Sequence, residues 1–190
     1  GDGMDMERIG IIGLGRMGSA MARRLSGQGV AVTGWTRSGR SVEGITTVPD
    51  IATLVAGSDT VILSLYDDAA VAEMLDALLQ VDLQGRLIVE TSTVVPSLLK
   101  SRQAAFAGKG ADVADAPISG CPEMVEAGTC GFFVGADAAV ADRATAILRT
   151  ISPRVLHMGP VGAGMVMKTI NNSMLQAYAA ALREMLPRAR

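Results

Sequence analysis

The sequence predicts an α/β protein with a doubly wound, mostly parallel sheet. Short apolar runs alternate with stretches of helical spacing, and the turns between them are short. The composition is that of a packed globular chain, with 49% apolar and 19% charged residues. Such alternation places helices on both faces of a parallel sheet, and right-handed crossovers wind it doubly. At 190 residues the chain has room for one full domain and a piece of a second.

Arg8 to Gly13 forms the first expected strand, and Arg16 to Ser26 a helix with Met17, Ala20, Met21 and Leu25 on one face. Gly27 and Gly29 turn the chain into a strand from Val30 to Trp35. Asp50 caps a short helix that runs to Val55. Thr60 to Leu65 is a strand, Ala69 to Leu79 a helix and Arg86 to Glu90 a strand. Pro96 opens a helix that ends before Gly108. Ala111 to Ala116, Gly131 to Gly135 and Arg154 to Met158 are further strands, with a helix from Ala138 to Arg149 between the last two. The glycine-rich run Gly159 to Gly164 leads into a long helix from about Met165 to Leu186. That helix has one apolar stripe at Met167, Ile170, Met174, Tyr178, Ala181 and Met185, and a second at Leu175, Ala179 and Leu182. A helix apolar on two sides wants two partners. The α/β domain is expected to cover one side, and a further domain or a second subunit the other.

Composition excludes several functions. A net charge of −2 gives no general attraction to nucleic acid or anionic lipid, and 3% aromatics leave little for base stacking. No apolar run approaches the ~18 residues needed to span a bilayer, and no signal peptide is visible. Cys121 and Cys130 make neither a disulfide framework nor a metal pair, which fits a reducing cytoplasm.

Gly13-Leu14-Gly15-Arg16-Met17-Gly18 is G-x-G-x-x-G, set between a strand and a helix. The first glycine permits the tight turn, the second lets a pyrophosphate approach the backbone, and the third lets helix and strand pack closely. The helix N-terminus then offers N–H groups and a positive dipole to the anion. This is the Rossmann pattern of dinucleotide binding. After the second strand come Trp35-Thr36-Arg37-Ser38, and the next acid is Glu43. An NAD-selective site usually has an acid here for the ribose 2′-hydroxyl. Arg37 instead offers a partner to a 2′-phosphate, with hydroxyls at Thr36 and Ser38. NADP(H) is therefore expected over NAD(H), which remains possible.

Three more segments fall at strand ends or on the last helix. These are Ser92-Thr93-Val94-Val95-Pro96, Asp115-Ala116-Pro117-Ile118-Ser119-Gly120 and Lys168-Thr169-Ile170-Asn171-Asn172. Lys168 and Asn172, four apart, share a helix face. With GLGRMG and the loop Ser64-Leu65-Tyr66-Asp67, these segments resemble the β-hydroxyacid dehydrogenase family, which includes 3-hydroxyisobutyrate dehydrogenase, tartronate semialdehyde reductase and the glyoxylate/succinic semialdehyde reductases. The resemblance covers nearly the whole chain. It implies hydride transfer between a nicotinamide cofactor and a small 3-hydroxy acid or semialdehyde bearing a carboxylate. It implies Lys168 as general acid/base and Asn172 as its helper beside the substrate. It places the substrate carboxylate at Ser119, Gly120 and Cys121, Thr93 at the nicotinamide end, and Leu65 and Tyr66 against the cofactor. The chemistry suits those types, because a protonated lysine stabilises a developing oxyanion and delivers its proton.

The sequence departs from the family at Cys121, where glycine is frequent, at Tyr66, where proline is common, and at Thr36, where asparagine is. Cys121 is expected to be a small buried filler, and His157 a structural residue. Imine reductases and phosphogluconate dehydrogenase are rival relatives. Lys168 and Ser119-Gly120 count against the first, and the absence of histidine near Lys168 against the second. The resemblance divides the chain into a tag or disordered start at 1–6, a dinucleotide-binding domain at 7–160, and at 161–190 an interdomain helix with the truncated start of a helical domain. That further domain is expected to close the cleft and to build a homodimer or higher oligomer. Without it, a cofactor-binding module with little turnover is the alternative.

Overall fold

The computed structural model describes residues 6–189. The expected tag or disordered start lies, apart from Met6, outside them. In chain order the elements are β1 (Ile9–Ile12), α1 (Arg16–Gly27), β2 (Val32–Trp35), α2 (Ile51–Ala56), β3 (Thr60–Leu63), α3 (Asp68–Leu78), β4 (Leu87–Glu90), α4 (Ser97–Lys100), α5 (Gln103–Gly108), β5 (Asp112–Asp115), β6 (Ile118–Ser119), α6 (Pro122–Ala127), β7 (Gly131–Gly135), α7 (Ala138–Arg149), β8 (Arg154–Gly159) and α8 (Ala163–Met185). A 3₁₀ turn over Leu186–Ala189 follows α8.

β1 to β5 form a parallel sheet in the order β2-β1-β3-β4-β5, and β7 continues it antiparallel to β5. β6 also pairs antiparallel with β7, and β8 lies parallel to it. The chain goes from β1 outward to β2 and then returns to β3 on the other side of β1. That reversal opens a crevice at the carboxyl ends of β1 and β3. β1, β3 and β4 are buried throughout, as strands covered on both faces must be. One core face packs Ile9, Ile11, Met21 and Leu25 against Phe132, Leu148 and Ile151. The other packs Ile12, Leu63, Leu75 and Ile88 against Phe106 and Leu99.

Local side chains cap two of the helices. Asp50 accepts from the Thr53 N–H at 2.7 Å to cap α2, and Asp67 accepts from the Ala70 N–H at 2.8 Å to cap α3. The helix expected from Pro96 to Gly108 is broken in two between Lys100 and Gln103. Pro117, with no N–H to give, separates β5 from β6. β6 and α6 were not expected.

The last helix corrects the sequence reading further. It begins at Ala163, two residues early, and its buried residues are Gly164 and Met165. Ile170, Met174, Leu175, Tyr178 and Met185 are all exposed. The α/β layer thus holds the root of α8 and covers neither stripe beyond it. Among the described residues no helix is long and apolar enough to cross a membrane.

Phe106 is fully buried in the second core face. Phe106→Ala is expected to cost about 3–5 kcal/mol and to lower Tm by about 10 °C, as measured by calorimetry.

Candidate active site

The glycine loop closes the carboxyl end of β1. Gly13 sits at φ +97°, and a Cβ there would run into the Ser64 carbonyl. A Cβ on Gly18 would strike the Gly13 carbonyl. Gly15 caps α1 with no side-chain hydrogen bond, and the first turn holds no acid. The helix therefore presents its N–H groups and positive end to the crevice. A cavity of about 250 Å³ lies there, lined by Gly15, Met17, Ser64, Leu65, Ser92 and Thr93. Tyr66, 87% exposed, stands at its mouth, and its hydroxyl occupies the place a Gly15 Cβ would need. Leu14 contributes backbone alone, because its side chain is buried beneath Gly34. Its carbonyl accepts from the Ser19 hydroxyl at 2.9 Å and from Arg40. The Arg16 guanidinium turns away to Glu123, at 3.3 Å.

A second cavity of about 330 Å³ adjoins the loop, lined by Gly13, Trp35, Arg37, Leu65, Asp67 and Glu73 among others. The Trp35 indole donates to the Pro49 carbonyl at 3.3 Å, fixing the strand end. The Thr36 hydroxyl oxygen is buried without a partner. Arg37 is already engaged by Glu73, and the Ser38 hydroxyl accepts from the Arg40 N–H at 3.4 Å. An uncapped helix start, glycines that a Cβ would block and a guanidinium in the adjoining cavity all fit a dinucleotide.

The catalytic candidates meet through Asp115. Its carboxylate accepts from the Gly162 N–H at 2.7 Å and the Met165 N–H at 2.9 Å. α8 is preceded by Gly162, a left-handed glycine at the cap position with no side chain to cap it. Asp115, at the end of β5, supplies the missing cap from 47 residues upstream. Burial pushes its carboxyl up, and the α8 N–H groups pull it back. Gly164 must lack a side chain, since a Cβ would meet the Phe133 carbonyl and Asp115 itself. One turn further on, Lys168 donates from Nζ to the Ser119 hydroxyl at 3.3 Å. Burial lowers the Lys168 ammonium below the ordinary lysine range, because desolvation disfavours the charged form. Asn172 lies on the next turn, half-buried, and among the described residues no hydrogen bond joins it to Lys168 or Ser119. Asn171, passed over in the sequence, lines a cavity with Ser119, Gly120 and Arg154.

Cys121 corrects an expectation. It is exposed at the start of α6, and Cys130 is the buried thiol. Pro122 at the first helical position forces the chain into α6 there, which leaves the thiol outside the core. Gly120 has φ +139°, with Cys130 and Met124 closing on it. α6 pairs with α1 through Arg16–Glu123 and Arg23–Glu126, so the Ser119–Cys121 loop is tied to the glycine-loop helix. His157 bonds the Ala136 carbonyl at 2.7 Å, a structural contact.

Two contributors, Glu90 and Ser92, have no role assigned to them from the sequence. Ser92 accepts from the Leu65 N–H at 2.8 Å, and the Ser92 N–H donates to Glu90 at 2.8 Å. Glu90 is fully buried, with its second carboxyl oxygen unpartnered, directly across the ladder from Asp115. Burial pushes its carboxyl up to about 8, with Asp115 adding to the rise and the Ser92 bonds opposing it. No group of three or more His, Cys, Asp or Glu among the described residues could hold a metal ion.

The family model for the NAD binding domain of 6-phosphogluconate dehydrogenase matches residues 8–159. The chain is 34% identical over 187 residues to 2-(hydroxymethyl)glutarate dehydrogenase of Eubacterium barkeri, covering 94% of this chain and 62% of that protein. It is 33% identical over 178 residues to an NAD-dependent L-serine dehydrogenase of Pseudomonas aeruginosa, covering 90% and 60%. The structure of Mycobacterium tuberculosis 3-hydroxyisobutyrate dehydrogenase with L-serine superposes with a TM-score of 0.86 at 28% identity, covering 97% of this chain and 66% of that one. The chain thus spans about three-fifths of the length of the curated relatives named here.

Asp115→Ala leaves two buried N–H groups without acceptors. It is expected to cost about 2–4 kcal/mol in chemical denaturation and to loosen α8 first, seen as faster amide exchange at Ala163–Lys168. The Glu90 carboxyl keeps in the fold a proton that the unfolded chain gives up near 4.5. Its stability contribution is therefore whole below that pH and is lost as pH climbs through about 8. Glu90→Gln is expected to flatten the fall in Tm between pH 5 and pH 9. An equally steep fall in the variant would place the titration elsewhere.

Proposed function

The chain belongs to the family of the NAD binding domain of 6-phosphogluconate dehydrogenase, and we propose from that membership that it transfers hydride between NADP(H) and a small 3-hydroxy acid or semialdehyde. The observation that carries this reading is the 3.3 Å contact between Lys168 Nζ and the Ser119 hydroxyl. It brings a cation from the last helix to a strand-end hydroxyl next to Ile118, which itself lines the cofactor crevice.

Nicotinamide supplies or accepts the hydride when the cofactor is bound. The chain's own residues do the rest. Ser119, with the N–H groups of Gly120 and Cys121, holds a substrate carboxylate, which accepts hydrogen bonds and donates none. Lys168 Nζ gives a proton to the carbonyl oxygen in reduction and takes one from the hydroxyl in oxidation. Burial lowers the ammonium below the ordinary lysine range, which is the direction the second role needs. Asn172 orients that oxygen from the next turn of α8. Thr93, Leu65 and Tyr66 line the nicotinamide end of the crevice, and the Gly13–Gly18 loop takes the pyrophosphate. Trp35, Thr36, Arg37 and Ser38 take the adenosine end, with Arg37 on the 2′-phosphate. Free Cys121 and Cys130 fit a cytoplasmic setting.

The exposed stripes of α8 support a second reading, that these residues alone form a cofactor-binding module with little turnover. Apolar faces of that kind also favour assembly into homodimers or larger homo-oligomers.

Steady-state assays with glyoxylate, succinic semialdehyde and tartronate semialdehyde separate the two readings. Turnover with NADPH is expected from the enzyme. NADPH-dependent thermal stabilisation without turnover leaves the module. Lys168→Ala is expected to cut turnover by about 100-fold or more with NADPH affinity nearly intact; equal loss of both would remove Lys168 from the chemistry. Arg37→Ala is expected to weaken NADPH by about tenfold and NADH hardly at all, as read by coenzyme fluorescence titration.

A further inference from the structure

We propose that Glu73 is a specificity-determining residue of the adenosine cavity: its carboxylate holds the Arg37 guanidinium, and a 2′-phosphate must take Arg37 from it. The proposal rests on the NADP(H) reading above. Arg37 and Glu73 line the same cavity from different elements, the arginine just after β2 and the glutamate on α3, and their side chains are joined in an ion pair. The third charged residue of the lining, Asp67, is committed, and so is Arg40 of the same loop as Arg37. Asp67 caps α3 through the Ala70 N–H, and Arg40 donates to the Leu14 carbonyl. The cavity wall thus sets one guanidinium against two carboxylates, Asp67 and Glu73.

Both partners are largely exposed, at 64% and 56%, so the pair is weak. A phosphate, which accepts two parallel bonds from a guanidinium, displaces the glutamate readily. Two effects still count against it. The Arg37–Glu73 pair must open, and the freed carboxylate then stands near a second anion. A ribose with a plain 2′-hydroxyl has no claim on Arg37 and meets neither cost. Glu73 therefore acts on one coenzyme and leaves the other untouched. It brings a negative charge into the cavity from α3, although the end of β2 carries no acid.

The test is fluorescence titration of NADPH and of NADH onto the full chain, as wild type, Glu73→Gln, Arg37→Ala and the double variant. Glu73 is a surface residue, so the substitution leaves the fold in place. Glu73→Gln is expected to tighten NADPH about two- to five-fold, the range for an exposed ion pair, with NADH unchanged. In the Arg37→Ala background the same change is expected to bring a smaller gain, since there is no guanidinium to release. No change in NADPH affinity, or an equal change for both coenzymes, overturns the role of Glu73. An undiminished gain without Arg37 replaces competition with simple charge repulsion and overturns the mechanism stated here. If Arg37→Ala leaves the difference between the coenzymes unaltered, or neither coenzyme binds, the underlying NADP(H) reading fails and the proposal with it.

Discussion

The two hydrogen bonds from Gly162 and Met165 to the Asp115 carboxylate hold the candidate active site in register. A 23-residue helix follows a glycine that has no side chain to cap it. The cap comes from the end of β5, so the position of α8 is set by the sheet and not by the loop before it. From that fixed start the 3.6-residue turn brings Lys168 round to Ser119. Close packing reinforces the bond, since Gly135 and Gly164 leave room for the carboxylate and for nothing larger. Glu90 sits beside Asp115 across the ladder. Burial keeps the Glu90 proton in place at neutral pH, and the pair then carries one negative charge rather than two. That single charge faces the positive end of α8, where it is favoured.

The cofactor end obeys a different constraint, the approach of backbone to backbone. Gly13 and Gly18 are required because carbonyl groups stand where a Cβ would be. The two ends are not independent. Glu90 accepts from the Ser92 N–H, and Ser92 accepts from the Leu65 N–H, at the wall of the cofactor crevice. On the far side α6 ties the Ser119–Cys121 loop to α1 by two ion pairs. These pairs are exposed and individually weak, but they join surfaces already brought together by buried packing of Val125 with Met21 and Leu25 in one core.

The parallel half of the sheet was legible because its signals are local. Buried strands such as Thr60–Leu63 carry a run of apolar residues, here Val61 to Leu63, and Asp50 caps its own helix three residues on. The glycine motif was legible because each glycine answers to a neighbour nearby in sequence or on the next strand. What escaped the sequence is what depends on distant partners. β6 has two residues, too few for any period to show, and Pro117 hides its continuity with β5. Asp115 reads as an ordinary strand-end acid until α8 arrives 47 residues later. Arg37 reads as a free base at a strand end because its partner lies 36 residues away on another helix. Cys121 was taken for core because small apolar residues usually are, yet the proline after it starts a helix that leaves the thiol outside.

At 1.5 Å per residue α8 is about 34 Å long, and it is held only near its root. Lys168 lies about 7 Å along it and Met185 about 33 Å. A rod pinned at one end divides any sideways displacement in proportion to distance. A shift of about 1 Å at the tip moves the backbone at Lys168 by roughly a quarter of an ångström. The far half of the helix is therefore free to be bent or gripped by whatever packs on it, while the amine keeps its place beside Ser119.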